Sequence, residues 1–197
     1  MAVKMEGRQL TAVTSMHKAL GTFAGEWKIS QKFYTGPGAK PMLATGKATC
    51  KVLLGGLAVY MESELDNGYK AIVMSTWNAS KGQYEGFFMD IYSHGGFDPL
   101  TGMPAANLPV AADAAHNLSD AAVFKGPVRQ RVWNGRVTVP RMAALAAGAP
   151  SVLAGVDSVP VQIVENQVSA NVWALNCISA DAAGEQYVQM ENTYTKA

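Results

Sequence analysis

The pattern of apolar and polar positions divides most of the chain into short β-forming segments separated by turn residues. In the first half, these segments lie at 26–34, 44–54, 57–65, 69–77 and 83–92. Asp66-Asn67-Gly68 separates two of them, and an Asn-Gly step favours the tight turn of a β-hairpin. Consecutive strands joined by short turns predict an antiparallel meander.

The second half resumes the β pattern after an irregular stretch. Residues 94–122 are rich in Gly, Pro, Ala and Asp and follow neither strand nor helix periodicity, which predicts a long loop insertion with at most one weak strand. Further strands are predicted at 123–125, 128–133, 136–139, 159–164, 168–176 and 186–196. Turns are predicted between them at Asn134-Gly135, Glu165-Asn166-Gln167 and residues 181–184.

A short helix is predicted before the first strand, with Thr14 or Ser15 as its N-cap, inside an N-terminal helical segment at 1–24. We expect residues 1–197 to form a single all-β domain. The predicted fold is an antiparallel up-and-down β-barrel of about 8–10 strands. Closure removes the exposed strand edges, and a barrel of this size leaves room inside for one small ligand.

Charge patterning argues against nucleic acid and membranes as partners. The formal net charge is +1, from 16 Lys and Arg against 15 Asp and Glu, and like charges do not cluster. Neither a nucleic acid nor an anionic membrane would find a basic surface to bind. Charged residues interrupt the first twenty positions, so no signal peptide is predicted, and we expect a cytoplasmic location.

Cysteine and histidine spacing does not indicate a metal site. The two cysteines are far apart, and the three histidines share no spacing typical of metal ligands. We therefore expect no metal and no cofactor. Assembly into a homo-oligomer through the Ala- and Pro-rich segments is a further possibility for the chain.

Soft and aromatic residues are abundant for a barrel of this size. The chain holds ten Met, seven Tyr, six Phe and four Trp, which either fill the interior or surround an occupied pocket. An occupied pocket is the favoured interpretation, because barrel mouths commonly hold ligands. The predicted ligand-binding residues are Tyr60, Met74, Phe88, Tyr92 and Trp173.

Three titratable residues are candidates for catalysis in the same cavity. On the segment 57–65, strand alternation puts Met61 on one face and Glu62 on the other. The Met61 face is the better core candidate, but carboxylates also occur inside ligand-holding barrels, so Glu62 is retained. Asp90 lies among large apolar residues of its own face, either interior and hydrogen-bonded or exterior and solvated, and His94 begins the long loop.

Several short motifs resemble those of a known family when they are taken in order. They are His17-x-x-Leu20-x-x-x-x-Gly25-x-Trp27, Leu54-Gly55-Gly56 followed by Glu62, the segment from Trp77 through Tyr84 to Asp90, and the closing segment with Glu191 and Tyr194. In these places the chain resembles a bacterial family of unknown function with lipocalin-like members. The resemblance implies a lipocalin-like barrel and carries no settled activity.

The Gly-x-Trp opening is also distantly similar to that of nitrobindin, a barrel that holds haem. The glycine-rich continuation of that family is absent here, where Lys28-Ile29-Ser30-Gln31 follows, and no histidine occurs in the last strands. Haem binding is therefore disfavoured. Gly25 and Trp27 are interpreted as structural residues that cover one end of the barrel, while Trp133 is expected on the rim.

The sequence supports three functions. The first is binding of a small hydrophobic or aromatic molecule inside the barrel. The second is an enzyme, such as an isomerase, cyclase or hydrolase of a hydrophobic metabolite, with Asp90, Glu62 or His94 as acid or base. The chain has no Gly-x-Ser-x-Gly motif, phosphate loop or dinucleotide fingerprint, so the enzyme hypothesis depends on the pocket alone. The third is a structural or interaction role.

Overall fold

Ten antiparallel strands close into a barrel, as the sequence predicts. The protein is seen in a computed structural model that describes residues 12–91, 98–104, 129–138, 158–181 and 183–197. The α-helix α1 spans Ser15–Gly21. The strands are β1 Gly25–Phe33, β2 Met42–Leu53, β3 Ala58–Leu65, β4 Lys70–Asn78, β5 Gln83–Asp90, β6 Asp98–Pro104, β7 Arg129–Thr138, β8 Ser158–Ser169, β9 Val172–Ala180 and β10 Gln186–Lys196.

The connectivity is up-and-down. Each strand pairs with its neighbours in sequence, and β1 closes the barrel by pairing with β10, for example Ile29 with Tyr194. Burial alternates along β1, where Trp27 and Ile29 point inward and Lys28 and Ser30 are exposed. This period of two is the pattern from which the sequence predicts the strand. Among the described residues, no helix is long and apolar enough to cross a membrane.

Helix α1 and the residues after it close one end of the barrel. Thr14 is the N-cap: the main-chain N–H of His17 donates to the Thr14 hydroxyl (3.5 Å), and the Thr14 N–H donates back to His17 Nδ1 (3.1 Å). This reciprocal pair satisfies amides that a helix start leaves unbonded. His17 is buried in this role, and Leu20 joins the core beneath the helix.

The Gly-x-Trp motif makes the turn from this helix into β1. Gly25 has a φ of 126°, which side chains of L-residues rarely allow. Trp27 is 1% exposed, and its indole N–H donates to the Phe23 carbonyl at 2.8 Å. Both residues therefore have structural roles at the closed end.

Two predicted turns lie inside strands instead. Asn134-Gly135 is in the middle of β7, where Asn134 pairs with Thr101 on one side and Gln162 on the other. The predicted turn Glu165-Asn166-Gln167 instead continues β8, and the chain turns at 170–171. Pairing with a strand on each side outweighs the local turn preference of these short segments.

The segment predicted as a long loop contributes one strand. Its described part, β6, pairs with β5 and β7 and includes Gly102, which pairs with Trp133. A side chain at Gly102 would place Cβ 2.6 Å from the Trp133 ring. The glycine that weakens the strand signal in the sequence thus makes room for an interior indole. The rest of 94–122 lies outside the described residues.

Candidate functional site

A mainly apolar cavity lies inside the barrel. It encloses about 80 Å³, within a void of about 760 Å³ that extends into open solvent. Its principal apolar walls are Ile29, Met61, Leu65, Val73, Phe88 and Leu100, joined by Trp133, Ile163, Leu175 and Met190. Methionine side chains are flexible and polarizable, so the walls contributed by Met61 and Met190 can adapt to the shape of a guest.

Polar side chains form one row across neighbouring strands. Arg131 on β7 pairs with Glu165 on β8, Glu165 with Leu175 on β9, Leu175 with Asn192 on β10, and Asn192 with Gln31 on β1. Of these five, all except Arg131 line the cavity. The row starts close to the closed end, at Arg131 near the beginning of β7, and runs obliquely to Gln31 near the far end of β1.

Glu165 is held in place by two donors. Arg131 Nε donates to its Oε2 at 2.7 Å, and Trp133 Nε1 donates to the same oxygen at 3.0 Å. Arg131 is 5% exposed, and its Nη1 also donates to the main-chain carbonyl of Ala19 at 3.3 Å. A buried charge is tolerated when it is paired and hydrogen-bonded, and these contacts meet that condition for both partners.

Aromatic rings surround the guanidinium of Arg131. Its Cζ lies 4.9 Å from the ring centroid of Trp173, 5.7 Å from that of Phe23 and 6.0 Å from that of Tyr84. Cations over ring faces are attracted to the ring quadrupole, more strongly when water is excluded. Arg131 is therefore a structural cation that joins the closed end to the polar row.

Asn192 and Tyr194 complete the polar region. Asn192 is 7% exposed, and its Nδ2 donates to the Tyr194 hydroxyl at 3.3 Å, while its Oδ1 has no partner within the described chain. Burial raises the pKa of Tyr194 to about 12; the Asn192 hydrogen bond lowers it and the charge of Glu165 raises it. The phenol therefore stays neutral at physiological pH.

Asp90 lies near the opposite end of the barrel. It is buried on the interior face of β5, and the Tyr69 hydroxyl donates to its Oδ2 at 3.1 Å. Of the two environments that the sequence left open for Asp90, the structure has the interior, hydrogen-bonded one. Tyr69 lines the cavity and so links Asp90 to it.

The other predicted site residues are divided between the inside and outside of the barrel. Phe88 lines the cavity, and Met74 borders it from a position that pairs with Tyr60. Tyr60 and Glu62 lie on the outer face of β3, because Met61 between them faces inward; Glu62 is exposed. We therefore leave Tyr60 and Glu62 out of the site.

Of the remaining predicted residues, Trp173 does not line the cavity. Trp173 is 1% exposed and packs at the closed end, where its ring centroid is 4.2 Å from that of Phe23. Tyr92 and His94 lie outside the described residues. Among those that are described, no three His, Cys, Asp or Glu side chains are grouped closely enough to hold a metal ion.

The polar row was missed by the sequence analysis. Glu165 was assigned to a turn, and Trp133 was expected on the rim, although it is 4% exposed and lines the cavity. Glu165 is in phase with the apolar Ile163 two positions earlier, whereas Trp133 has Arg131 and Gly135 at that spacing. A charged residue in phase with the core face of a strand is the signal that indicates Glu165.

Comparisons with known proteins agree with the barrel and add no activity. Residues 12–97, which run from α1 to the end of β5 and a little beyond, match a family described as "Protein of unknown function (DUF1579)". None of the curated proteins matches the chain. The crystal structure of Rv2717c from M. tuberculosis is similar, with a TM-score of 0.57 and 8% identity over 94% of this chain and 99% of that one. At this identity the likeness shows the fold alone.

Proposed function

We propose that the barrel binds a small hydrophobic or aromatic molecule in its interior. The observation that carries this proposal is the cavity itself: apolar side chains from most strands face an interior space that they do not fill. Protein interiors are normally packed without such voids, because an empty space deprives its walls of contacts. A guest molecule would supply those contacts, as it does in lipocalin-like barrels, which the sequence resembles.

A pair of variants on β4 tests the proposal. Val73 lines the cavity, whereas its neighbour Ile72 points to the outer face, where it pairs with exposed Glu62. Val73→Phe should fill the space, while Ile72→Phe adds the same ring outside it. The probe is N-phenyl-1-naphthylamine, an uncharged dye whose fluorescence rises in apolar surroundings.

The wild-type protein should bind this dye with saturable affinity, and the fluorescence of Trp133 in the cavity wall should change with it. We expect Val73→Phe to weaken binding by about tenfold or more and Ile72→Phe to leave it unchanged, since adding bulk to a fixed cavity forces costly repacking. Equal effects of the two variants would place the dye outside the cavity. Native mass spectrometry of protein from its own host would then look for the natural guest directly.

Acid or base catalysis at Asp90 is a second candidate function. It is favoured by the burial of Asp90 and by the hydrogen bond from Tyr69, a residue of the cavity wall. Asp90→Asn keeps an acceptor for Tyr69, so it should fold normally. The assay incubates a metabolite extract of the host with each protein and identifies the compounds that are consumed. If Asp90 is catalytic, compounds consumed by the wild-type protein should remain with Asp90→Asn. Consumption of the same compounds by both proteins would exclude Asp90 as the acid or base.

The cytoplasmic location and the homo-oligomer remain predictions from the sequence. Size-exclusion chromatography with light scattering measures the oligomeric state directly. A monomeric mass would remove the assembly hypothesis.

A further inference from the structure

We infer that the guest is an uncharged, mainly apolar molecule with an N–H or O–H donor, and that Glu165 and Asn192 recognise this donor. The inference rests on the proposed binding function and specifies the chemistry of its ligand. It follows from which polar residues line the cavity and which of their side-chain atoms already have partners.

Glu165 offers a fixed acceptor to the cavity. An ionised carboxylate only accepts hydrogen bonds. Its Oε2 already takes those of Arg131 and Trp133, and within the described residues Oε1 has no partner. Because Glu165 lines the cavity, Oε1 is the oxygen available to a guest.

Asn192 offers a second acceptor in the same row. Its Nδ2 is used by Tyr194, and its Oδ1 is buried with no partner in the part of the chain that the structure describes. Buried side-chain oxygens are rarely left in this state, because their desolvation is then uncompensated. Leu175 separates the strands of Asn192 and Glu165, so their main chains are about 10 Å apart and both side chains point toward the barrel axis.

An anionic guest does not fit this arrangement. The charge of Arg131 is used by Glu165 and the Ala19 carbonyl, its faces are covered by aromatic rings, and it does not line the cavity. A carboxylate guest would meet the Glu165 carboxylate instead. A cationic guest does not fit either, because Arg131 already balances Glu165 and the new charge would be buried without a partner.

A site of this kind discriminates by the presence of a donor. When buried groups are placed to hydrogen-bond a guest, an analogue of the same shape without that group binds much more weakly, since the protein atoms stay unpaired. Indole and benzofuran are such a pair: they share one shape, and the ring N–H of indole is replaced by an oxygen. Benzoate represents the anions.

The experiment measures the affinity of the three probes by isothermal titration calorimetry for the wild-type protein and for Asn192→Leu. We expect wild-type protein to bind indole at least about tenfold more tightly than benzofuran, and benzoate most weakly. Asn192→Leu should reduce the preference for indole to less than about threefold without weakening benzofuran. The folded state of the variant is checked by its melting temperature. Asn192→Leu removes an unpaired buried oxygen and also the Nδ2 hydrogen bond to Tyr194, and these two changes act in opposite directions, so we expect only a small shift.

Each outcome bears on one of the two proposals. If neither indole nor benzofuran binds, the proposed function fails. If both bind equally, or benzofuran or benzoate binds best, binding stands and the donor specificity fails. If Asn192→Leu retains the full preference for indole, Asn192 has no part in recognition. Should the variant not fold, the comparison of probes on wild-type protein still decides the specificity.

Discussion

Replacing Arg131 by Met removes the cation from a pair that is almost wholly shielded from water. The side chain of Arg131 is 7% exposed and that of Glu165 is 17% exposed, with 2.7 Å between Nε and Oε2. The variant leaves the carboxylate of Glu165 in an apolar surrounding with Trp133 as its remaining donor. Met has nearly the length of the Arg stem, so the loss of charge is the main change.

The expected loss of stability follows from this burial. Removing one partner of a buried ion pair costs about 3–5 kcal/mol, because the other charge stays uncompensated. For a domain of this length each kcal/mol lowers the melting temperature by about 2–4 °C, so Arg131→Met should melt roughly 6–20 °C lower. Adding Glu165→Gln removes the unpaired charge and keeps an acceptor for Trp133. The double variant should therefore lose less than the sum of the single variants, by about 2 kcal/mol.

Urea unfolding followed by tryptophan fluorescence measures these differences, with equal slopes as the check that the unfolded states are comparable. Lys32→Met is the matched control. Lys32 and Glu191 form a cross-strand pair between β1 and β10 at 3.1 Å, but the Lys32 side chain is 52% exposed. Such a surface pair contributes no more than about 1 kcal/mol.

Two results would mean that the two charges are solvated and do not depend on each other. One is that Arg131→Met loses no more stability than Lys32→Met. The other is that the losses of Arg131→Met and Glu165→Gln simply add in the double variant.

Three further results are expected. Gly102→Ala should lower stability by about 1–3 kcal/mol in urea unfolding because the new Cβ would meet the Trp133 ring, whereas Gly21→Ala, whose Cβ would meet only a Val methyl at 3.6 Å, should not. The Tyr194 pKa of about 12 lies above the ordinary value of 10.0, so its contribution is complete below pH 10 and is lost as pH rises toward 12; Tyr194→Phe should show a shallower fall in stability over that range. Burial raises the pKa of both cysteine thiols to about 12, so Ellman's reagent at pH 8 should react with unfolded but not with folded protein. Rapid labelling of native protein would contradict this.

The local pattern of residues was sufficient to predict the first five strands and the helix α1. In β1 the inward residues alternate with exposed ones, and Thr14 caps α1 with its own side chain, so each of these elements is determined by residues close in sequence. The same kind of evidence misled at Asn134-Gly135, where a strong turn signal lies within a paired strand. Turn preference is a property of two residues, whereas a strand in a closed barrel gains hydrogen bonds along both sides.

In the candidate site, too, some residues could be predicted from local sequence and others only from the tertiary structure. Phe88 was predicted from the aromatic face of β5, and it lines the cavity. The choice between the Met61 and Glu62 faces of β3 needed the position of the barrel axis, which alternation alone does not supply. Glu165 was hidden by its polar neighbours, which suggested a turn.

By itself the sequence indicated a closed antiparallel barrel with a short helix before its first strand, because alternation, turns and a cap are encoded within a few residues of each other. Only the tertiary structure decided which polar side chains meet in the interior of the barrel. Arg131, Glu165 and Asn192 are far apart along the chain and become one row through the register of four neighbouring strands. Register depends on the pairing of all strands at once, and so the chemistry of the cavity is a property of the closed barrel.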